Sequence, residues 1–288
     1  MDIWAQIIIN SIITGAIYAL IVLGFNLIYW VTKFFNIAHG VYAVVAAYTV
    51  YFMYTTKGSN VYLSIIAAIL AAGLAGLLSD RFVFLPLRKR TASGMTMFVA
   101  SLGIFTVLQA VVALIFTNQY RMLRKTYTAG KTFNILGGVI TETHCIVIIV
   151  VFVTLAVLII LRDRTKFGRA VKAIGDDEEV AKIVGINTNK IIATVFFIGA
   201  ASTGIGGILI GFDTGMMPAS GMSLLLNAVT ASIIGGAGNI LGGLLGSFML
   251  GFAQNASVWW ISGEWQDAIA FVMLIIFLLF RPRGIFNE

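Results

Sequence analysis

Between Thr214 and Gly263 the chain reads TGMMPASGMSLLLNAVTASIIGGAGNILGGLLGSFMLGFAQNASVWWISG, fifty residues without a charged side chain. A helix needs roughly 20 apolar residues to cross a bilayer, so this run can supply two passes, or a pass and a re-entrant excursion. Its middle, Ile233-Ile234-Gly235-Gly236-Ala237-Gly238-Asn239-Ile240-Leu241-Gly242-Gly243, holds five glycines in nine residues. Each glycine weakens a helix interior by roughly 1 kcal/mol relative to alanine. The stretch therefore predicts a helix break or tight turn, with Gly235, Gly236 and Gly238 at it.

Working outward, uncharged stretches recur at Phe34–Thr56, Val61–Ser79, Thr91–Tyr120, Ile191–Phe212 and Ala268–Phe280. Mean hydropathy is +0.98 and only 11% of residues are charged, far from the soluble-globular norm. The expected fold class is all-α: a polytopic membrane protein of roughly 8–10 transmembrane or re-entrant helical segments, with residues 1–288 forming one transmembrane domain. A membrane β-barrel would show short alternating segments instead. The formal charge of +7 does not point to nucleic acid, because the basic residues sit mainly in loops, where they act as orientation signals. The partner implied by composition is the lipid bilayer.

The start is not expected to be a cleaved signal peptide: Asp2 is the only charged residue before Lys33, and the apolar run is longer than a signal core of about 7–15 residues. Cys145 is the single cysteine, which rules out an intramolecular disulfide or a cysteine metal cluster. His144 beside it is read as a packing or turn residue rather than a metal ligand.

Three regions are basic: Asp80–Gly94, Asn118–Thr143 (with Arg121, Arg124, Lys125 and Lys131) and Arg162–Lys190. One span separates each from the next, so the middle loop lies opposite the other two. Eleven basic residues against four put Asp80–Gly94 and Arg162–Lys190 in the cytoplasm, and Arg281 and Arg283 put the C-terminus there too. An even number of crossings must then separate Arg162–Lys190 from the tail. Ile191–Phe212 and Ala268–Phe280 account for two, so Thr214–Gly263 must supply two more or a re-entrant excursion.

A second break is expected at Thr32-Lys33-Phe34-Phe35-Asn36-Ile37-Ala38-His39-Gly40, between the span Ile12–Tyr29 and the next apolar run. Backbone released from a helix at membrane depth must line a cavity or be buried in protein. Interrupted segments in both halves of a chain are a pointer to a substrate path. The plainer readings are a cytoplasmic turn at Thr32–Gly40 and close small-residue helix packing at Gly235–Gly243. Polar residues near the breaks, Asn26, Asn36, His39, Asn227 and Asn239, with Gln109 and Asn255 behind them, are the translocation-path candidates. Each competes with a role in helix–helix hydrogen bonding, and Asn36 and His39 fit a local role at the bend best. Asp213 and Asp267 fall at span ends and are read as solvated.

Arg162–Lys190 carries twelve of the 31 charged residues. Asp176 is placed as an N-cap, with Glu179 completing a capping box; Asp177 and Glu178 favour the first helical turn. Val180, Ile183, Val184 and Ile186 lie near one face, and Gly185 ends the helix in a left-handed cap. So short a helix is marginal alone. Its acidic start disfavours an anionic leaflet, so a groove on a soluble partner is the better seat.

Asn36-Ile37-Ala38-His39-Gly40, after Gly15-Ala16-Ile17-Tyr18-Ala19-Leu20, resembles the N-F-A-H-G and YAL stretches of branched-chain amino acid ABC-importer permeases of the Liv type. Gly168-Arg169-Ala170-Val171-Lys172-Ala173 followed by Glu179-Val180-Ala181-Lys182-Ile183-Val184-Gly185-Ile186-Asn187 is similar to that family's cytoplasmic coupling loop. The stretch Ile233–Gly243 and the tail Arg281-Pro282-Arg283-Gly284-Ile285-Phe286 also fit, in the right order over essentially the whole chain. Ile37 in place of the usual Phe, and the acidic run Asp176–Glu179, depart from the common pattern and leave substrate and partner open. The resemblance implies an ABC-importer permease in a prokaryotic inner membrane that forms half of a path. It implies a sister permease, as a heterodimer before a homodimer, two ATPase subunits that hold ATP-Mg, and a solute-binding protein. This chain itself would hold no cofactor or metal and hydrolyse no ATP. The helix from Asp176 to Gly185 would be the coupling helix, with Asp176, Glu179, Val180, Ile183, Val184 and Gly185 as its ATPase-coupling residues. Amino acids, branched-chain ones first, are the implied cargo; urea, short amides and aromatic or organic acids are the alternatives.

Gly130-Lys131-Thr132 imitates the end of a phosphate loop, but that motif needs a glycine where Lys125 stands. A secondary transporter would carry ionisable groups within its spans, and the apolar runs hold none except His39 at a segment end. A membrane enzyme would need converging catalytic groups, and His39 and His144 fall on opposite predicted sides. A passive channel would keep transporting beside an inactive ATPase.

Overall fold

The structure, a computed structural model, describes residues 3–123, 132–135, 137–281 and 284–286. Asp2, Arg124, Lys125, Gly130, Lys131, Pro282 and Arg283 lie outside the described residues. The elements in order are α1 (Ile3–Thr32), α2 (His39–Val50), α3 (Val61–Ser79), α4 (Leu85–Lys89), α5 (Gly94–Phe116), β1 (Thr132–Ile135), β2 (Gly138–Thr141) and α6 (Glu142–Arg164). After these come α7 (Lys166–Asp176), α8 (Glu178–Ile183), α9 (Thr188–Asp213), α10 (Ser220–Gly235), α11 (Ile240–Ser257) and α12 (Gln266–Phe280). Among the described residues, six helical stretches are long and apolar enough to cross a membrane. The bent pair α10–α11, taken as one span, brings these to seven; the expected eight to ten is reached only if the 12-residue α2 and the two arms of the pair are each counted as segments.

Polar caps start these helices where apolar runs meet turns. Asn60, Ser93, Thr141, Asn187 and Asn239 each accept a hydrogen bond from a first-turn backbone N–H of α3, α5, α6, α9 and α11, replacing bonds the helix cannot make for itself. Thr141 and His144 form a reciprocal box, so the turn role expected of His144 is correct. His144 Nε2 also sits 3.1 Å from Asp213 Oδ1, which makes Asp213 a partnered residue rather than a freely solvated one.

Helices α1 and α9 form the hub. In their most apolar windows 61% and 67% of residues are buried, against 17% in α5 and α6 and 6% in α12. The outer helices leave whole apolar faces uncovered, Leu114, Ile149 and Leu279 among them, as lipid-facing helices do. Close approach at the hub uses small residues. A Cβ on Gly24 would collide with the Gly199 carbonyl, and one on Gly40 with the Gly221 carbonyl. Ser202 Oγ donates to the Leu20 carbonyl across the α1–α9 contact at 2.9 Å. Lipid tails supply no hydrophobic drive between helices, so such backbone approach and polar stitching hold them together.

Two sequence expectations change. Asp80–Gly94 is not a loop: a π-helical turn at Asp80–Phe84 carries α3 into α4, and the loop is confined to residues 90–93. The wide turn tucks Asp80 inside, fully buried, where it pairs with Arg88 at 2.9 Å. The middle basic loop contains an antiparallel hairpin, with Phe133 opposite Ile140 and Asn134 opposite Val139, a small departure from an all-α chain.

The hairpin orients the molecule. Gln6 at the start of α1 accepts from Val139 N at 2.8 Å and donates to Val139 O at 3.3 Å. Helix α1 therefore begins at the hairpin end and finishes beside α7. From there α9, α10, α11 and α12 make four traverses that return the tail to the α7 end, the even number that charge placement required. Helices α10 and α11 are bent by 117° at their break. At 16 and 18 residues and 1.5 Å per residue they span about 24 and 27 Å.

Removing one member of the Asp80–Arg88 pair leaves a buried charge uncompensated, at about 3–5 kcal/mol. Asp80→Ala is expected to lower the melting midpoint of the detergent-purified protein, and adding Arg88→Leu to recover most of that loss. Equal destabilisation of single and double variants would show that the pair does not carry this energy.

Candidate functional site

Two features at one end of the molecule carry functional character: the α7–α8 segment and the broken pair α10–α11.

Helix α7 is capped by Thr165, whose Oγ1 accepts from Gly168 N at 3.0 Å. Val171 and Ile174 are buried against Leu27, Ile28 and Val31 of α1 and Ile192 of α9. Sequence reasoning missed this helix, although Phe167, Val171 and Ile174, at i, i+4 and i+7 among lysines and arginines, carried its signal.

The cap at the next helix falls one residue later than expected. Asp176 ends α7 and does not cap α8. Asp177 does, its Oδ1 accepting from Glu179 N at 2.8 Å and Val180 N at 3.0 Å. The reason is that α7 runs through Asp176, so Asp177 is the first residue with the extended backbone that a cap needs (φ −154°, ψ 111°). Glu179 closes no box with it. Instead Glu178 pairs with Lys182 at 2.8 Å. The helix is also shorter than expected, six residues. It ends at Gly185 as expected, with φ +88°. Gly185 N donates to Lys182 O and Ile186 N to Ala181 O, both at 3.0 Å, which is the Schellman pattern. Ala181 faces the bundle. Val180, Ile183 and Val184 face away, 54%, 83% and 68% exposed.

At the second feature, α10 ends on Gly235. Gly236 (φ +105°) and Gly238 (φ +87°) make the turn in conformations that favour glycine, and Asn239 caps α11 by accepting from Gly242 N at 3.0 Å. The turn is held by Asn26 of α1. Its Nδ2 donates to the Asn239 carbonyl at 2.8 Å, and its Oδ1 accepts from Ser232 Oγ at 2.5 Å and Gly238 N at 3.3 Å. Asn26 is fully buried, so each bond stands in for one that water cannot supply. The tail completes the seal: Ile285 N donates to Ile234 O at 3.0 Å and Phe286 N to Gly235 O at 3.3 Å. These carbonyls lie in the last turn of α10 and have no partner further along it.

The other path candidates also engage protein groups. Asn227 donates to the Tyr18 hydroxyl at 3.2 Å and accepts from Gln254 at 3.1 Å. Gln254, 1% exposed, is a member of this network that sequence reasoning passed over in favour of its neighbour; only helical phase separates it from Asn255, which bonds Thr14 at 3.2 Å. Gln109 is half-buried on α5. At the first break, Asn36 Oδ1 accepts from Ala38 N at 3.1 Å, and Ser101 Oγ accepts from Ile37 N at 3.0 Å. His39 Nε2 lies 3.0 Å from the Ile21 carbonyl and 2.5 Å from Thr203 Oγ1. The released backbone here is packed within the protein, not exposed as a turn. The break itself occupies residues 33–38. Gly40, expected at it, lies in the first turn of α2, because close packing on Gly221, not chain reversal, is what requires a glycine there.

Between the two features a cavity of about 360 Å³ is lined by Trp30, Arg162, Val171, Lys172, Asp176 and Asn239, among others. It lies between α7 and the α10–α11 turn.

Six helices long and apolar enough to cross a membrane make this a multi-pass membrane protein. A family profile described as the permease component of branched-chain amino acid transport systems matches residues 7–278, and the chain belongs to that family. It is 29% identical to the high-affinity branched-chain amino acid transport system permease protein BraD of Pseudomonas aeruginosa, over 99% of this chain and 96% of that one. It is 30% identical to LivH of Escherichia coli K12, over 98% and 95%, and 27% identical to the probable LivH of Methanocaldococcus jannaschii, over 97% and 91%. A solved structure, PsaBC from Streptococcus pneumoniae in complex with Fab, covers 98% of this chain and is covered over 93% of its own, at 12% identity and a TM-score of 0.45, too distant to carry an argument.

Asn26→Leu keeps the branched shape of the clasp and removes its three bonds, stranding buried groups at about 1–3 kcal/mol each. Faster hydrogen exchange at residues 236–243, with little change in α5 and α6, is the expected result. Unchanged protection at the break would mean that Asn26 does not hold it.

Proposed function

We propose that this permease is the membrane subunit of an ATP-driven importer, that it forms half of the translocation path, and that its cargo is amino acids, branched-chain ones first. The observation that carries the reading is the uncovered apolar face of α8. Val180, Ile183 and Val184 stand in the open, on a helix locked at its start by Asp177 and at its end by Gly185. Six residues cannot hold a helix in isolation, and exposed branched side chains on a capped helix fit a groove in a partner. That partner is an ATPase subunit, which binds and hydrolyses ATP-Mg while this chain does no chemistry.

Movement at α7–α8 then shifts an equilibrium between two packings of the bundle, each favoured by one nucleotide state. The α7 end, with Arg162, Lys172 and Arg281, faces the cytoplasm of a prokaryotic inner membrane, which also fits the tail folded against it. The hairpin end meets a solute-binding protein. A sister permease covers part of the outer apolar surface and completes the path. The polar seam of Asn26, Asn227, Asn239 and Gln254 borders that path when the bundle opens, and Asn36 and His39 hold the bend beside it. The substrate assignment rests on the names of the relatives; amide and organic-acid cargo are the competing outcomes of a transport assay.

Val184→Asp places a charge on the apolar face of α8 without touching the bundle. Co-purification of the ATPase subunits is expected to fall at least roughly tenfold, the loss equivalent to about 1.4 kcal/mol, and uptake with it, while the chain still inserts and melts as before. Full ATPase recovery and full uptake would remove α8 from the interface.

A further inference from the structure

The coupling segment and the helix break are not joined in sequence, yet one side chain touches both. Trp30 lies in the last turn of α1, one helical turn after the clasp residue Asn26 and therefore on the same face. On one side its indole occupies the space that a Cβ of Gly175 would need, in the last turn of α7. On the other side, Cε3 of the same ring stands 3.2 Å from where a Cβ of Gly238 would lie, in the turn between α10 and α11. Glycine at both positions lets the ring sit directly against two backbones. Lys33 Nζ lies over the ring, 4.5 Å from its centroid, a cation–π contact that holds the indole in this plane.

We propose that Trp30 is the wedge through which displacement of α7 reaches the α10–α11 break. The inference rests on the proposed ATP-driven coupling and names the residue that transmits it. A rigid ring against two backbones transmits displacement because close-packed contacts have little compressibility. Flexible side chains would absorb it. The cavity of about 360 Å³ on whose wall Trp30 stands gives the ring somewhere to go. Packed contacts change between discrete arrangements rather than deforming continuously, and the void is where a second position of the ring would lie. When α7 presses, the ring moves the turn at Gly238, and Asn26, bonded to the same turn, moves with it. Trp30 is thus a positioning residue: it touches no cargo and acts through the break.

The test uses the complete complex in proteoliposomes, with labelled leucine as the probe, and reads three quantities: ATP hydrolysed, leucine taken up, and hydrogen exchange at residues 236–243 with ATP against ADP. A nucleotide-dependent change of exchange in the wild-type complex tests the coupling reading itself; without it, that reading fails whatever the variants do. Given that change, Trp30→Ala is expected to keep its ATPase subunits and hydrolyse ATP within about twofold of wild type. Its uptake is expected to fall by about tenfold, within the usual range of coupling between sites, and its break to lose the response to nucleotide. Gly175→Phe alone, which drives the indole off α7, is expected to uncouple in the same way. Combined with Trp30→Ala it returns a ring to the gap from the other side and is expected to restore part of the uptake and of the exchange response. A merely structural role would give additive damage and no such rescue. Should Trp30→Ala fail to insert, Trp30→Phe and Gly175→Ala, which shrink or displace the ring without deleting it, are compared in the same assay. Wild-type uptake per ATP in the single variants, or a double variant no better than either single one, overturns the proposal.

Discussion

The structure depends on one constraint: a backbone amide or carbonyl buried away from water must find a protein partner. Continuous helices meet it automatically. This chain breaks its helices at residues 33–38 and at 236–239, and each break is stabilised by dedicated side chains. At the first, Asn36 and Ser101 supply the missing acceptors. At the second, Asn26 engages three groups at once, and the folded-back tail takes the carbonyls of Ile234 and Gly235.

The consequence for function is local. A continuous helix is stiff along its length, and a broken one can change angle where its hydrogen-bond ladder stops. The bend of 117° between α10 and α11 lies beside α7, and the segment that presents an apolar face to solvent comes directly after α7. The α7–α8 segment and the α10–α11 turn are separated by one indole and one cavity, and under the proposed coupling that short distance is what links them. The clasp at Asn26 keeps the break specific: three bonds fix where the turn sits, and α10 and α11 pack backbone to backbone through Gly235, Gly242 and Gly246.

A large part of this was legible along the chain. Fifty uncharged residues with five glycines at their centre required a break, and the break falls there. Gly185 marked the end of α8, and the basic loops placed the tail at the α7 end. The misses have a common origin. Asp176 was one residue early as a cap because three neighbouring acidic residues offer the same chemistry, and the end of α7 selects among them. The buried Asp80–Arg88 pair was not foreseen, because nothing local announces a π-turn that carries Asp80 inward to Arg88. Gln254 and Asn255 are adjacent amides, and only the rotation of α11 about its axis decides which one meets Asn227.

The sequence by itself determined the properties that composition and period dictate: a membrane bundle, the positions of its breaks, the side on which charge gathers, and a family whose motifs run the length of the chain. Tertiary structure alone decided which polar groups meet. Asn26 and Asn239 are more than two hundred positions apart, as are Trp30 and Gly238, and Trp30 is well over a hundred from Gly175. The physical reason is that hydropathy and helix capping are local properties, set within a few residues. A clasp or a wedge exists only once separate helices have packed, and its partners are chosen by crossing geometry, which depends on the small residues at every contact together.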